Sequence, residues 1–230
     1  MTTPTAIWLL ALAAAAATLP LHAQVPPTAT EAAAYQGLHA AAQRGDLAAI
    51  QRLAVDKAAL ESRDKAGRTP LHVATFTRQG RAVQALLQAG ADHAALEQGR
   101  YDAVTIAAVA DDVATLRVLL AGRASAGLTT SRYDGTALIA AAHLGHDGVV
   151  RQLIQAGAPL DHVNNLHWTA VIEAIVLRDG GPRHQATLKA LLDAGASTQR
   201  ADRSGTTPLQ LAQARGYTAM VQLLQAAGAR

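Results

Sequence analysis

The stretch Thr69-Pro70-Leu71-His72-Val73-Ala74 decides the fold of this 230-residue chain, because the sequence repeats it at a regular interval. A second strong copy, Thr207-Pro208-Leu209-Gln210-Leu211-Ala212, stands near the end of the chain. Weaker copies begin at positions 36, 102, 136 and 169, so the six starts are 33, 33, 34, 33 and 38 residues apart. A period of this length indicates a repeat architecture in place of one closed core.

A second motif supports the same register. The residues Leu-Leu-Gln-Ala-Gly-Ala occupy positions 86–91, and variants recur at 153–158, 191–196 and 225–229. Thr caps helix starts, Pro is favoured at the first helical position, and Gly ends helices. Each unit is therefore predicted to form two short antiparallel helices. Turn sequences such as Asp64-Lys65-Ala66-Gly67 are predicted to form a finger before the next unit.

The period and the Thr-Pro-Leu-His-x-Ala motif resemble the ankyrin repeat, and the resemblance covers residues 36–230 in about six units. It implies an all-α, ankyrin-type helix-turn-helix solenoid with short β-hairpin or loop fingers. None of the units could bury its apolar face alone, so we expect the units to stack. Unit five carries about five extra residues around Gly180, and we expect them to lengthen the loop between its two helices.

The first 35 residues lie outside the repeats. No Asp, Glu, Lys or Arg occurs before Glu31, and the apolar run 6–19 is followed by Pro20 and Leu21-His22-Ala23. This order is typical of a secretory signal, and the run is shorter than the roughly 20 residues that span a membrane. We expect a signal peptide (1–23) cut after Ala23, a linker (24–35), and a periplasmic or secreted product that is not inserted in a membrane. An uncleaved anchor is the alternative.

The composition argues against several kinds of chemistry. The chain has no Cys, which excludes disulfides, thiol catalysis and thiolate metal sites. Its 20 Lys and Arg residues are scattered among 17 Asp and Glu residues, without the basic stripe of a nucleic-acid-binding protein. The nucleophile elbow, the phosphate-binding Gly loop and the His-Glu-x-x-His pair are missing from the sequence. We therefore predict a non-enzymatic protein without cofactor or metal that does not bind nucleic acid.

Nine histidines leave a second interpretation open. His39 and His72 stand at the fourth position of the repeated motif, where the resemblance implies that the imidazole tethers a loop through hydrogen bonds. The other candidates lie near turns and loops of units four and five: His143, His146, His162, His167 and His184. The alternative function is a metal or small-molecule sensor that uses these His-rich loops.

The resemblance to ankyrin repeats also implies where a partner binds. The exposed positions of such stacks are the finger tips, the residue before the Thr, and two residues late in the first helix. Four of the five aromatic residues after position 35 fall on this set, and aromatic and Arg side chains often anchor interfaces. The predicted partner-binding residues are Arg68, Phe76, Tyr101, Arg132, Tyr133, His143, Leu166, Trp168 and Arg203.

Three of these aromatic residues, Tyr101, Tyr133 and Trp168, stand at successive fingers, so we expect one exposed strip on the concave face of units three to five. The alternative for each is ordinary packing between units. The chain is similar to exported bacterial ankyrin proteins, some of them linked to oxidative-stress defence beside a catalase and others acting as immunity proteins against toxins. The sequence therefore predicts a protein-binding module that acts outside the cytoplasm.

Overall fold

The computed structural model describes residues 24–177 and 179–230 as a stack of helix pairs. The predicted signal peptide and its cleavage site at Ala23, as well as Arg178, lie outside the described residues. In chain order the described helices are α1 (Ala29–Ala34), α2 (Gly37–Arg44), α3 (Leu47–Leu53), α4 (Lys57–Leu60), α5 (Pro70–Phe76), α6 (Gly80–Gln88), α7 (Ala103–Val109), α8 (Val113–Ala121), α9 (Ala137–Leu144), α10 (Asp147–Gln155), α11 (Ala170–Val176), α12 (Pro182–Asp193), α13 (Pro208–Ala214) and α14 (Thr218–Ala226).

Six helix pairs correspond to the six predicted units: α2 with α3, α5 with α6, α7 with α8, α9 with α10, α11 with α12, and α13 with α14. The all-α solenoid is thus confirmed. Among the described residues the fingers form loops without strands, and one isolated β-bridge joins Thr130 to Gly135. None of the helices in the described part of the chain has the length and apolar character needed to cross a membrane.

The repeated motif begins the first helix of each pair. Thr69 caps α5, accepting a hydrogen bond from the backbone amide of His72, and Pro70 occupies the first turn, where a missing N–H costs nothing. Thr207 and Pro208 start α13 in the same way. Asp102 replaces Thr in unit three and caps α7 through its carboxylate.

Alanine at the sixth position of the motif sets the spacing between first helices. Each first helix packs against the first helices of its neighbours, as α7 does against α5 and α9. A methyl group at the contact lets two helix axes approach closely, and larger side chains would force them apart. The alanines at this position, each 0% or 1% exposed, are Ala41, Ala74, Ala107, Ala141, Ala174 and Ala212.

The extra residues of unit five lengthen the loop between its two helices, as predicted, and they lengthen the second helix as well. Helix α12 has 12 residues, whereas its counterpart α10 has nine. Gly181 is the residue before the first turn, and Pro182 occupies that turn, where its fixed φ suits a helix start. The added turn places His184 against unit four, where its Nε2 lies 3.2 Å from the carbonyl oxygen of His143.

His72 joins unit two to unit three. Its Nδ1 accepts a hydrogen bond from the amide of Thr69 at 3.1 Å, so Nε2 carries the proton and donates to the carbonyl oxygen of Tyr101 at 3.2 Å. Burial lowers the pKa of His72 to about 4, although the bond to Tyr101 acts in the opposite direction. The neutral imidazole is therefore the form that holds the two units together, as the resemblance implied.

This pKa makes the stability of the stack depend on pH. The unfolded chain binds a proton at the ordinary histidine pKa of 6.5, and the folded chain does so only near 4. Stability is therefore lost as the pH falls between these values, by up to about 3 kcal/mol. The control is His72→Gln, because Gln210 already fills this position in unit six and accepts from the amide of Thr207.

Chemical unfolding at pH 7 and pH 4.5, followed by circular dichroism, measures the difference. We expect the wild type to lose more stability than His72→Gln over this interval. Equal losses in the two proteins would show that His72 is not held neutral by the fold.

Candidate functional site

The fingers form a regular row along one side of the stack, together with the first helices. We call this side the concave face. Backbone hydrogen bonds join successive fingers, and in each of them an amide of one finger donates to a carbonyl oxygen of the finger before it. The donor and acceptor pairs are Gln98 and Ala66 at 3.0 Å, Ser131 and Arg100 at 2.8 Å, and Asn165 and Tyr133 at 2.9 Å. In finger six, the guanidinium of Arg203 donates to the carbonyl oxygen of Asn165 at 2.9 Å instead.

The three middle fingers hold strained residues where the outer fingers hold glycine. Two positions before the residue that caps the first helix, the backbone is left-handed in units two to six, and Gly67 and Gly205 fill this position in units two and six. Units three, four and five place Arg100, Asp134 and His167 there, with φ of 64°, 51° and 64°. A side chain in this conformation costs on the order of 1 kcal/mol, and such strain often marks functional sites.

A pocket of about 410 Å³ lies between these strained fingers and helices α7, α9 and α11. Three successive fingers and three successive first helices contribute to it, so no single unit could form it. Five of the nine predicted partner-binding residues line this pocket: Tyr101, Tyr133, His143, Leu166 and Trp168.

Tyr101, Tyr133 and Trp168 were predicted to form an exposed strip, and in the structure they line the wall of the pocket. Tyr101 is buried, with 8% of its surface exposed, while Tyr133 and Trp168 are half-buried. The prediction that Tyr101 is exposed is therefore wrong, and this residue instead forms part of the pocket wall. Burial raises the pKa of the Tyr101 phenol, and the nearby Glu97 acts in the same direction, so this wall of the pocket stays neutral.

A buried polar network closes the far side of the pocket. Glu173 on α11 accepts a hydrogen bond from Asn164 Nδ2 at 3.1 Å, and its second oxygen lies 3.0 Å from Nδ1 of His143 on α9. Sequence reasoning identified His143 but missed Glu173 and Asn164. One signal was available, because Glu173 stands at a position of the motif that is apolar in every other unit.

Arg68 is not part of the exposed face, and its prediction as a partner-binding residue is wrong. Its side chain is 1% exposed. Its Nε donates to Asp64 at 2.7 Å, one terminal nitrogen donates to the carbonyl oxygen of Val25 at 3.0 Å, and the other lies 2.9 Å from a carboxylate oxygen of Glu31. The segment before the repeats thus covers this guanidinium. We call this group of contacts the Arg68 clasp.

The Arg68 clasp also includes Tyr35, whose hydroxyl donates to Asp64 at 2.6 Å. Burial alone would raise the pKa of Asp64, but hydrogen bonds from Tyr35 and Arg68 outweigh it and lower the pKa below its ordinary value. Residues 29–34, predicted as part of a linker, form helix α1, which begins with a reciprocal cap between Thr28 and Glu31. This segment therefore packs on the first two units.

Three further predicted residues lie outside the pocket lining. Phe76 is half-buried at the end of α5, and Arg132 and Arg203 are exposed at the fingers of units four and six. The carbonyl oxygen of Arg132 accepts a hydrogen bond from the side chain of Asn165 at 2.9 Å, so this part of Arg132 joins two fingers.

The histidines of units four and five mostly act as tethers between units. His146 Nδ1 lies 2.9 Å from the carbonyl oxygen of Ala108, and His162 Nε2 lies 2.6 Å from that of Asp134. In the ranges that the structure describes, no group of three or more His, Asp or Glu side chains is arranged to hold a metal ion.

Comparison with known proteins agrees with this architecture. Residues 21–97 and 104–202 match the family model described as ankyrin repeats (3 copies). The chain is 35% identical over 190 residues to the ankyrin repeat protein YahD of Escherichia coli (strain K12), a match that covers 82% of this chain and 94% of YahD. A repeat solenoid with a concave pocket is the class that the fold defines, and the chain belongs to the ankyrin repeat family.

Solved structures show the same fold. An ankyrin repeat domain from Acinetobacter baumannii AYE is similar to this chain with 41% sequence identity and a TM-score of 0.77, over 84% of this chain and 98% of that domain. The ankyrin repeat domain of Bcl-3, a member of the IκB protein family, is 29% identical with a TM-score of 0.75, over 86% and 88% of the two chains. Ankyrin repeat domains are protein-interaction modules.

Replacement of Arg68 tests the clasp. We expect Arg68→Met to release α1, because the substitution removes the guanidinium that contacts both Glu31 and Val25. Hydrogen exchange followed by mass spectrometry should show amides of residues 29–34 exchanging roughly tenfold faster or more. Arg132→Met, which removes an exposed guanidinium, is the matched control. Unchanged exchange in Arg68→Met would contradict the clasp.

Proposed function

We propose that this protein is a non-enzymatic binding module that acts outside the cytoplasm and holds a protein partner in the concave pocket of units three to five. One observation carries the proposal: three successive fingers place Tyr101, Tyr133 and Trp168 around the same pocket. Aromatic side chains at the centre of a concave surface are the usual anchors of protein interfaces. The strained finger residues beside them support the same location.

The proposal that the protein acts outside the cytoplasm rests on the sequence of the first 23 residues. The proposed biological role rests on the resemblance to exported bacterial ankyrin proteins. We infer a function either in stress defence or as a toxin-immunity protein, because both need a binding surface without chemistry of its own. Intact-mass analysis of the exported protein tests the location. A mature chain that begins at Gln24 is expected, and a mature chain that retains Met1 would contradict it.

A small-molecule sensor is the second candidate function. The volume of about 410 Å³ lies within the range of small-molecule pockets, and this observation favours it. Native mass spectrometry of the protein purified from its own cells separates the two functions. A stoichiometric protein partner supports the first, and a retained small molecule without such a partner supports the second.

The partner interface is tested with Tyr133→Ala and Trp168→Ala. Each substitution should weaken binding of the purified partner by about 2 kcal/mol or more, because each removes an aromatic anchor from the pocket. The partner is first captured from a periplasmic extract with the wild-type protein, and its affinity for each variant is then measured by titration. Circular dichroism must show that the variants are folded.

The matched control is Gln84→Ala, an exposed position on α6, which lines a groove between second helices away from the fingers. This change should leave the affinity unaltered. A folded Tyr133→Ala/Trp168→Ala double variant that binds the same partner with wild-type affinity would rule out the pocket as the binding site. The inserted segment near Gly180 would then be the better candidate.

A further inference from the structure

Glu173 is unusual in this pocket, because an apolar docking site would not need a buried carboxylate. The carboxylate stands at the fifth position of the repeated motif and is only 5% exposed. Burial of a charged group costs several kcal/mol unless partners compensate it. The other units place apolar residues at this position: Ala40, Val73, Ile106, Ala140 and Leu211.

The partners of Glu173 leave acceptor positions for an incoming group. A carboxylate accepts about four hydrogen bonds, and in this structure Asn164 and His143 each lie within hydrogen-bond distance of one oxygen. The remaining residues that line the pocket include no Asp, Lys, Arg or second Glu. Among the described residues that line the pocket, Glu173 is therefore the only acidic side chain.

The aromatic residues that line the pocket favour a positively charged group. Tyr101, Tyr133 and Trp168 line the pocket together with Glu173. A cation near the face of an aromatic ring is attracted by the quadrupole of the ring, and the attraction grows when water is excluded. A buried carboxylate beside three aromatic residues thus suits a positive charge on a largely apolar stem.

We propose that the pocket receives one lysine or arginine side chain of the protein partner, with Glu173 as its counter-ion. The inference rests on the proposed function and specifies the chemistry of the partner. Arg100, on a finger beside the pocket, does not repel this basic side chain strongly, because its guanidinium is paired with the carboxylate of Asp134 at 3.2 Å. The exposed Arg132 favours an acidic residue next to the basic anchor in the partner.

Fluorescence of Trp168 reports on the pocket directly. The full chain contains two tryptophans, so the titrations use a Trp8→Phe background in which Trp168 is the single indole. The probes are Nα-acetyl-lysine amide, Nα-acetyl-arginine amide and the uncharged Nα-acetyl-norleucine amide. At least one basic probe should bind roughly tenfold more tightly than the norleucine probe.

Glu173→Gln tests the role of the charge. Glutamine has the same shape and still accepts from Asn164, so the variant should fold. It should lower the affinity of the basic probe by roughly tenfold and leave the norleucine probe unchanged. Asp193→Asn is the matched control, because it removes an exposed carboxylate from the same unit, and it should preserve the preference for the basic probe.

Two results overturn the inference: no basic probe binds more tightly than norleucine amide, or Glu173→Gln retains the preference. Measuring the affinity of the partner for each variant shows whether only the basic anchor is wrong or the proposed function is wrong as well. A partner that binds Glu173→Gln normally but is lost from the Tyr133→Ala/Trp168→Ala variant leaves the proposed function standing and overturns the lysine or arginine anchor. A partner retained by both variants overturns both. A partner lost from both, with the expected probe preference, supports both.

Discussion

Contact between successive helix pairs is the constraint on which the rest of this structure depends. No pair encloses a core of its own, and α7 buries its apolar residues against α5 and α9 on either side as well as against α8. The buried alanines at the sixth position of the motif fix how closely these first helices approach. The same spacing brings each finger within hydrogen-bond distance of the one before it. The pocket of units three to five is therefore a product of the stacking and not of any single unit.

Much of the fold could be predicted from the sequence, because a repeat has the same local signal in every unit. The capping Thr and the Pro of the motif mark where a first helix begins, and α5 and α13 begin directly after Thr69 and Thr207. Equivalent positions lie on the same face of a stack, which is why Tyr101, Tyr133 and Trp168 could be assigned to one surface. The structure brings all three to the same pocket.

The errors arose where the chain departs from its repeat. Arg68 stands at a finger position, but its partners Glu31 and Val25 belong to a segment that has no counterpart in the repeats, so the register could not show its burial. The division of the unit-five insertion between loop and helix depended on the helix start at Pro182. The contact between Glu173 and His143 joins two units, and such a pair has no sequence signal beyond one unusual carboxylate. Side-chain partners across units require the structure.

Binding of the partner in the concave pocket is tested most directly by mapping amide chemical shifts in the isotope-labelled full chain as the purified partner is added. The largest changes are predicted in the fingers of units three to five and in the first turns of α7, α9 and α11, with the indole of Trp168 among them. Binding in the concave pocket would be contradicted if the fingers were unchanged and the largest shifts fell along the second helices α8, α10 and α12.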